Sequence, residues 1–198
     1  MSDAKTLGGI GSILVLLTAV PYAGWAFGIA GFVMILFAIK NISEYVGDRK
    51  IYSDMIISVI MTIGAIAVGT VVVLGTVLRV FSMGTFVGSR FVPAATVTTG
   101  DWISVAIAAG AGLVVVWALA IASTVFLKKS LDSVAAKLKI STFGTAGLIY
   151  LIGAATAIIG VGFLLMLVAQ ILLVISFFSI QDQKAPEVIP PQPSSMSS

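Results

Sequence analysis

The sequence predicts an all-α, polytopic membrane helix bundle with six membrane segments, and three observations carry that expectation. Charged residues make up 10% of the 198-residue chain against 59% hydrophobic ones, with a mean hydropathy of +1.17. Those charges cluster, leaving uncharged runs longer than the roughly 18 apolar residues that read as a membrane span. The longest runs are interrupted near their middles by proline or glycine. A water-soluble domain carries about 25% charged residues. So deep a shortfall leaves too little polar surface to coat a globule in water, and the solvent is lipid.

The first uncharged run extends from Thr6 to Ile39. As one helix it would be about 50 Å long, against a hydrocarbon core of roughly 30 Å. Pro21-Tyr22-Ala23-Gly24-Trp25 places a helix breaker, a flexible glycine and two interfacial aromatics at its middle. The run therefore divides into segments at residues 6–20 and 24–39, forming a tight helical hairpin. Each arm is short for a full crossing, which leaves local bilayer thinning or a partly re-entrant hairpin open. Met1 to Thr6 is too short and too acidic for the leading region of a signal peptide, and is read as mature sequence.

A charged connector from Lys40 to Asp54 follows, then a third segment at residues 55–78 that ends at Arg79. An irregular loop continues to Gly100, with Phe81, Phe86 and Phe91 among glycines, threonines and Pro93, a composition suited to the membrane surface. Thr99 or Asp101 can cap a fourth segment at residues 101–127, with Trp102 in the aromatic belt. Residues 128–139 set Leu131, Val134, Ala135 and Leu138 on one face and lysines elsewhere, the pattern of an amphipathic interfacial helix. The uncharged run from Ile140 to Ile180 again exceeds one helix, and Gly160-Val161-Gly162 divides it into segments at 142–159 and 163–180. The expected organisation is one transmembrane domain over residues 1–180 and a disordered cytoplasmic tail over 181–198.

The first and last hairpins share a pattern. Thr6-Leu7-Gly8-Gly9-Ile10-Gly11 and Thr142-Phe143-Gly144-Thr145-Ala146-Gly147 both read T-x-G-x-x-G, and at the same offset Gly24 meets Gly160 and Phe27 meets Phe163. This is either a parallel internal repeat or the coincidence that any two apolar, glycine-rich helices produce. Orientation follows from the cations. With six segments, Lys5, Lys40, Arg49, Lys50, Lys128, Lys129, Lys137, Lys139 and Lys184 share one side, and only Arg79 and Arg90 face the other. The positive-inside rule makes the lysine-rich side, with both termini, cytoplasmic and the protein a multi-pass cell-membrane protein. Collapsing each hairpin to one span would also fit this bias, so helix length and the break at Pro21 and Gly24 decide for six.

Motifs for chemistry are scarce. The chain has no cysteine and no histidine, which removes thiolate and imidazole metal ligands, disulfides and the commonest general base. No metal or cofactor site is read, and nucleic acid is not an expected partner. Gly8-Gly9-Ile10-Gly11 lacks dinucleotide-binding spacing and opens a membrane helix, so it reads as packing. Small residues four apart recur as Gly24/Gly28, Ala65/Gly69, Ala106/Gly110, Ala108/Gly112 and Gly153/Ala157. Such pairs let backbones approach, either within the bundle or at a face for a second copy or another membrane protein. Gln170 is the one strongly polar residue deep in an apolar run. An unpaired amide in hydrocarbon is costly, so it must face protein, water or a partner helix. It is the sole candidate binding position. Thr62, Thr70, Thr76, Ser123, Thr124, Thr156 and Ser176 can each satisfy themselves on the preceding turn.

Thr6-Leu7-Gly8-Gly9-Ile10-Gly11, the Pro21-Tyr22 turn, Val46-Gly47-Asp48-Arg49, and Phe177-Phe178-Ser179-Ile180 before a polar tail together resemble a family of archaeal integral membrane proteins of unknown function. The resemblance covers about Thr6 to Asp182. It implies an archaeal cell membrane and supplies no activity, substrate or site residue. The residues themselves point to a non-catalytic scaffold or accessory subunit, surrounded by membrane lipid. The alternative is a small channel or carrier for an uncharged or weakly polar solute. Absence of a buried ionisable residue counts against ion coupling and against an enzyme.

Overall fold

A computed structural model describes residues 2–19, 22–87, 89–94 and 96–180. The tail expected to be disordered, and Pro21 of the first break, lie outside the described residues. Helix α1 covers Ser2–Leu16 and runs into a 3₁₀ turn at Leu17–Ala19; α2 covers Gly24–Val46 and α3 Arg49–Ser82. Strands β1, Gly84–Val87, and β2, Arg90–Pro93, come next. Helix α4 covers Thr99–Leu138, α5 Ser141–Thr156 with a 3₁₀ turn at Ala157–Ile159, and α6 Val161–Phe178. Among the described residues, 5 helices are long and apolar enough to cross a membrane, in α2, α3, α4, α5 with its turn, and α6. The chain is a multi-pass α-helical membrane protein. Helix α1, with 15 residues, falls short of that length.

Three stretches differ from the sequence expectation, each for a local reason. The connector expected over 40–54 is almost wholly helical, and only Gly47 and Asp48 separate α2 from α3. Gly47 adopts φ 71, a left-handed conformation that costs glycine little, and Asp48 N–H bonds back to Ser43 O at 3.1 Å. The Asp48 carboxylate then accepts the Lys50 N–H at 3.1 Å and starts α3. Here charge marked solvated helix ends rather than coil.

The interfacial helix expected at 128–139 does not exist as a separate element, because α4 runs unbroken for 40 residues. Its lysines sit comfortably on the helix: Lys128 pairs with Asp132 one turn on, and Lys129 lies 4.9 Å from the Phe126 ring centre. Leu131 and Val134 pack into the core with Ile39, Ile51 and Phe143 rather than against lipid.

The expected irregular loop holds an antiparallel hairpin in which Phe86 pairs with Phe91. Its rings continue a chain of edge contacts, Phe86 to Phe91 at 5.3 Å and Phe91 to Trp102 at 5.8 Å, which ties the hairpin to the start of α4. The capping box there is Thr98 and Asp101, with the Asp101 carboxylate accepting Thr98 N–H at 2.9 Å.

Helices α3 and α4 run side by side along their length, α1 packs on α2 and α6, and α5 packs on α4 and α6. The apolar core gathers at the end where α2 turns into α3 and α4 into α5, and Phe143 and Phe177 meet there edge-on at 5.1 Å. Toward the far end the picture changes. In the last three turns of α3 only Val72, Thr76 and Val80 are half-buried, and in the first four turns of α4 burial follows one matching stripe through Val105, Ala109 and Gly112. One stripe per helix means one neighbour each.

Candidate functional site

Two polar clusters lie within the apolar zone. The first centres on Gln170, which is 4% exposed and projects from the middle of α6. Its Oε1 accepts the Tyr150 hydroxyl of α5, and its Nε2 donates to the Ser12 carbonyl of α1 at 3.0 Å. One amide thus ties three helices, and both halves of it are engaged. A carbonyl already inside a helical ladder has a second lone pair to offer, which is how α1 takes part without breaking. Ser12 Oγ beside it is buried and has no partner among the described residues.

The second cluster joins α3 to α4. Ser123 Oγ lies 2.9 Å from Ser58 O, to which it donates, and 2.7 Å from Thr62 Oγ1. Thr62 Oγ1 in turn donates to Ser58 O at 3.0 Å, the back-bond expected of a helical threonine. Two helical turns nearer the core, Ser130 Oγ donates to Ile51 O at 2.8 Å. Thr62 and Ser123 also line an apolar groove of ≈ 380 Å³ closed by Val116, Ala154 and Met166. At its edge Trp117 Nε1 donates to Ala154 O at 3.0 Å, pinning α4 to α5. These groups are neutral and hold one another. None is placed as an acid, base or nucleophile, and among the described residues no group of three His, Cys, Asp or Glu could hold a metal.

The glycines singled out by spacing behave differently from one another. A Cβ on Gly24 would run into Thr18 O, one on Gly28 would stand 3.1 Å from Thr18 Cγ2, and one on Gly112 would meet Val72 Cγ2 at 2.5 Å. At Gly153 it would lie 3.0 Å from Gly162 O, and at Gly69 it would make only ordinary contact with Val116 at 3.7 Å. Gly110 faces open space, because α3 and α4 meet on the Gly112 side of α4, so it does not pack within the chain. Spacing overlooked Gly11 and Gly31, which face each other across α1 and α2, and Gly162, where a Cβ would strike Gly153 O. Their contacts cross between helices, and no single-helix pattern reports them.

Sequence reasoning found Gln170 but neither of its partners. Tyr150 and Ser12 stand 20 and 158 residues away, and only folding brings them together. Ser58 and Thr62 could have been found as an i, i+4 hydroxyl pair on one face of an otherwise apolar helix.

A family model described as "Protein of unknown function (DUF996)" matches residues 27–171. An uncharacterized protein of Methanocaldococcus jannaschii is 31% identical over 185 residues, covering 92% of this chain and 94% of its own length. No solved structure matches. A match over most of the bundle, together with an archaeal relative of nearly the same extent, agrees with the resemblance read from the glycine and turn motifs: the chain belongs to this family of proteins of unknown function.

Proposed function

We propose that the protein is a non-catalytic membrane scaffold or accessory subunit with six membrane segments, arranged as two short hairpins flanking the long α3–α4 pair. The observation that carries this reading is the state of Gln170. The one strongly polar side chain deep in the apolar zone spends its hydrogen bonds on Tyr150 and Ser12, and so works as a helix tie. A solute path needs polar groups free to exchange partners, whereas this amide is closed on both sides.

The hairpin reading is supported by matching successions. In α1–α2 and in α5–α6 a helix tightens into a 3₁₀ turn and the chain re-enters as a helix, with Gly24 opening α2 and Gly160 immediately preceding α6. An internal repeat related by the T-x-G-x-x-G motifs accounts for both. The lysine-rich end, where Lys5, Lys40, Lys50, Lys128 and Lys137 lie, faces the cytoplasm on this reading, with both termini. Its partners are lipid and either a second copy or another membrane protein.

One observation favours a second reading, a channel or carrier for an uncharged solute: the groove beside Thr62 and Ser123 has room for a small molecule. The missing cysteines make the choice measurable. Thr62→Cys and Ala120→Cys probe the groove, and Leu173→Cys probes the interior near Gln170. Protection of all three from a membrane-impermeant thiol reagent in native membranes is expected of the scaffold. Labelling of the groove pair would move the assignment to transport.

A further inference from the structure

The bundle is wide at one end and narrow at the other. The Tyr150–Gln170–Ser12 tie puts α1, α5 and α6 at one level. From there α1 has only Ser12 to Ala19 before its reversal, about 11 Å, and α5 has Tyr150 to Ile159, about 14 Å. Helix α4 reaches further. Trp117, bonded to Ala154 O, marks a shared level of α4 and α5. Beyond it α5 keeps the five residues to Ile159, about 8–10 Å, whereas α4 continues to Trp102, about 22 Å. The hairpin reversals therefore stop roughly 10–15 Å short of the far ends of α3 and α4, a large part of a leaflet's half of the ~30 Å hydrocarbon core.

The bilayer cannot thin down to the reversals without exposing α3 and α4. Their far halves carry Val71, Val73, Leu74, Leu78, Ile103 and Ile107, all more than half exposed. Hydrocarbon has to cover them. The second reversal is itself built for hydrocarbon: Ile158, Ile159, Val161, Phe163 and Leu164 are exposed, and no polar side chain occurs from Ala157 to Leu164. Two local bonds close the turn, Gly160 N–H to Ala157 O at 3.0 Å and Phe163 N–H to Gly160 O at 3.4 Å. Gly160 takes φ 83, and Gly162 lets the two arms touch. A reversal whose side chains are all apolar suits hydrocarbon better than water.

We infer that the two hairpins are re-entrant and that the protein is a wedge coupling to membrane curvature. Six helices fill the leaflet at the lysine-rich end, and two cross the far part of the other leaflet. Each helix is about 10 Å across with its side chains, so the occupied area falls roughly threefold through the membrane. Lipid packs around such a shape with least strain where the lysine-rich leaflet is the expanded, convex one. The direction relative to the cytoplasm rests on the orientation proposed above, whereas the wedge itself does not, and it holds whether or not the groove conducts.

Two measurements on the full chain test it. Single cysteines at Tyr22 and Ile159, which are 99% and 70% exposed, sit at the reversals without touching the core. Val87→Cys reports the far surface and Glu44→Cys the lysine-rich surface. Both reversal cysteines are expected to stay unlabelled by an impermeant reagent from either side while the two controls label from opposite sides. Labelling of Tyr22→Cys or Ile159→Cys from the Val87 side would mean that the hairpin crosses, and would overturn the inference. The second measurement puts the cysteine-free protein in giant vesicles of equal phosphatidylcholine and phosphatidylglycerol and draws narrow tubes from them. Molecules with the lysine-rich end outward should concentrate several-fold in the tube relative to a lipid dye, and molecules of the opposite orientation should be depleted. Equal density in tube and vesicle would overturn the wedge even with protected reversals.

Discussion

The Tyr150 hydroxyl and the Gln170 amide oxygen form a bond that joins α5 to the middle of α6, while the same amide's nitrogen holds α1 through Ser12 O at 3.0 Å. Gln170→Leu keeps the volume and removes both bonds. Interhelical bonds of this kind are worth about 0.6–2 kcal/mol in membranes, so the variant should fold with a loss of about 1 kcal/mol. Tyr150→Phe should cost a similar amount, and the double variant less than the sum. A double-mutant cycle on unfolding in mixed micelles measures the coupling; strict additivity would show that the two residues do not act through each other.

The glycines of the second hairpin offer a sharper contrast. Gly162→Ala forces a methyl against Gly153 O, and backbone cannot yield as a side chain would. Overpacking of that sort costs about 1–3 kcal/mol. Gly64→Ala and Gly110→Ala meet nothing within 4 Å and should be neutral or mildly stabilising, since alanine is the better helix former. The same unfolding assay applied to the three variants checks this, and a harmless Gly162→Ala would mean that α5 and α6 do not meet at Gly153 and Gly162.

How far these positions could be read from the chain depends on the range of the interaction. Helix starts were partly legible because they are local: α2 begins at Gly24 where the break was read, whereas α2 and α3 run past Ile39 and Arg79 to Val46 and Ser82. Gln170 was legible for the same reason, as a polar side chain among Leu167, Val168, Ile171 and Leu172. Its partners were not, since no pattern near residue 170 points to Ser12. Continuity of α4 through Lys128 and Lys129 was obscured because two lysines look like a membrane boundary, whereas Asp132 and the Phe126 ring let the helix carry them onward. The turn at Gly47 and Asp48 was hidden among charges that proved to be helix ends.

The hydroxyl cluster between α3 and α4 should matter more than its individual serines suggest. Ser123 touches both Ser58 and Thr62, so Ser123→Ala leaves the Ser58 hydroxyl without its cross-helix partner and takes one bond from Thr62. A loss of about 1–2 kcal/mol is expected, with faster hydrogen exchange at the facing turns of α3 and α4. Ser133→Ala is the control. Its hydroxyl bonds only to Lys129 O on its own helix at 3.0 Å, and no change is expected there.

The last expectation tests the depth of the second reversal thermodynamically. Ile159 is 70% exposed at the end of the 3₁₀ turn, and a substitution there disturbs no packing. If the turn lies in hydrocarbon, Ile159→Asp places a short carboxylate that cannot reach headgroups in a medium where such a residue costs up to about 3 kcal/mol near the centre. Val87→Asp is equally polar and stands on the exposed hairpin at the far end, where a charge meets water or headgroups. The two variants introduce the same carboxylate, so a difference well beyond the ~1 kcal/mol that helix and strand propensities span reads the depth. A penalty at Ile159 with none at Val87 is expected. Equal tolerance would place the reversal at the far surface, and α5 and α6 would then be full crossings, with the bilayer thinned around them and the far ends of α3 and α4 standing clear of it.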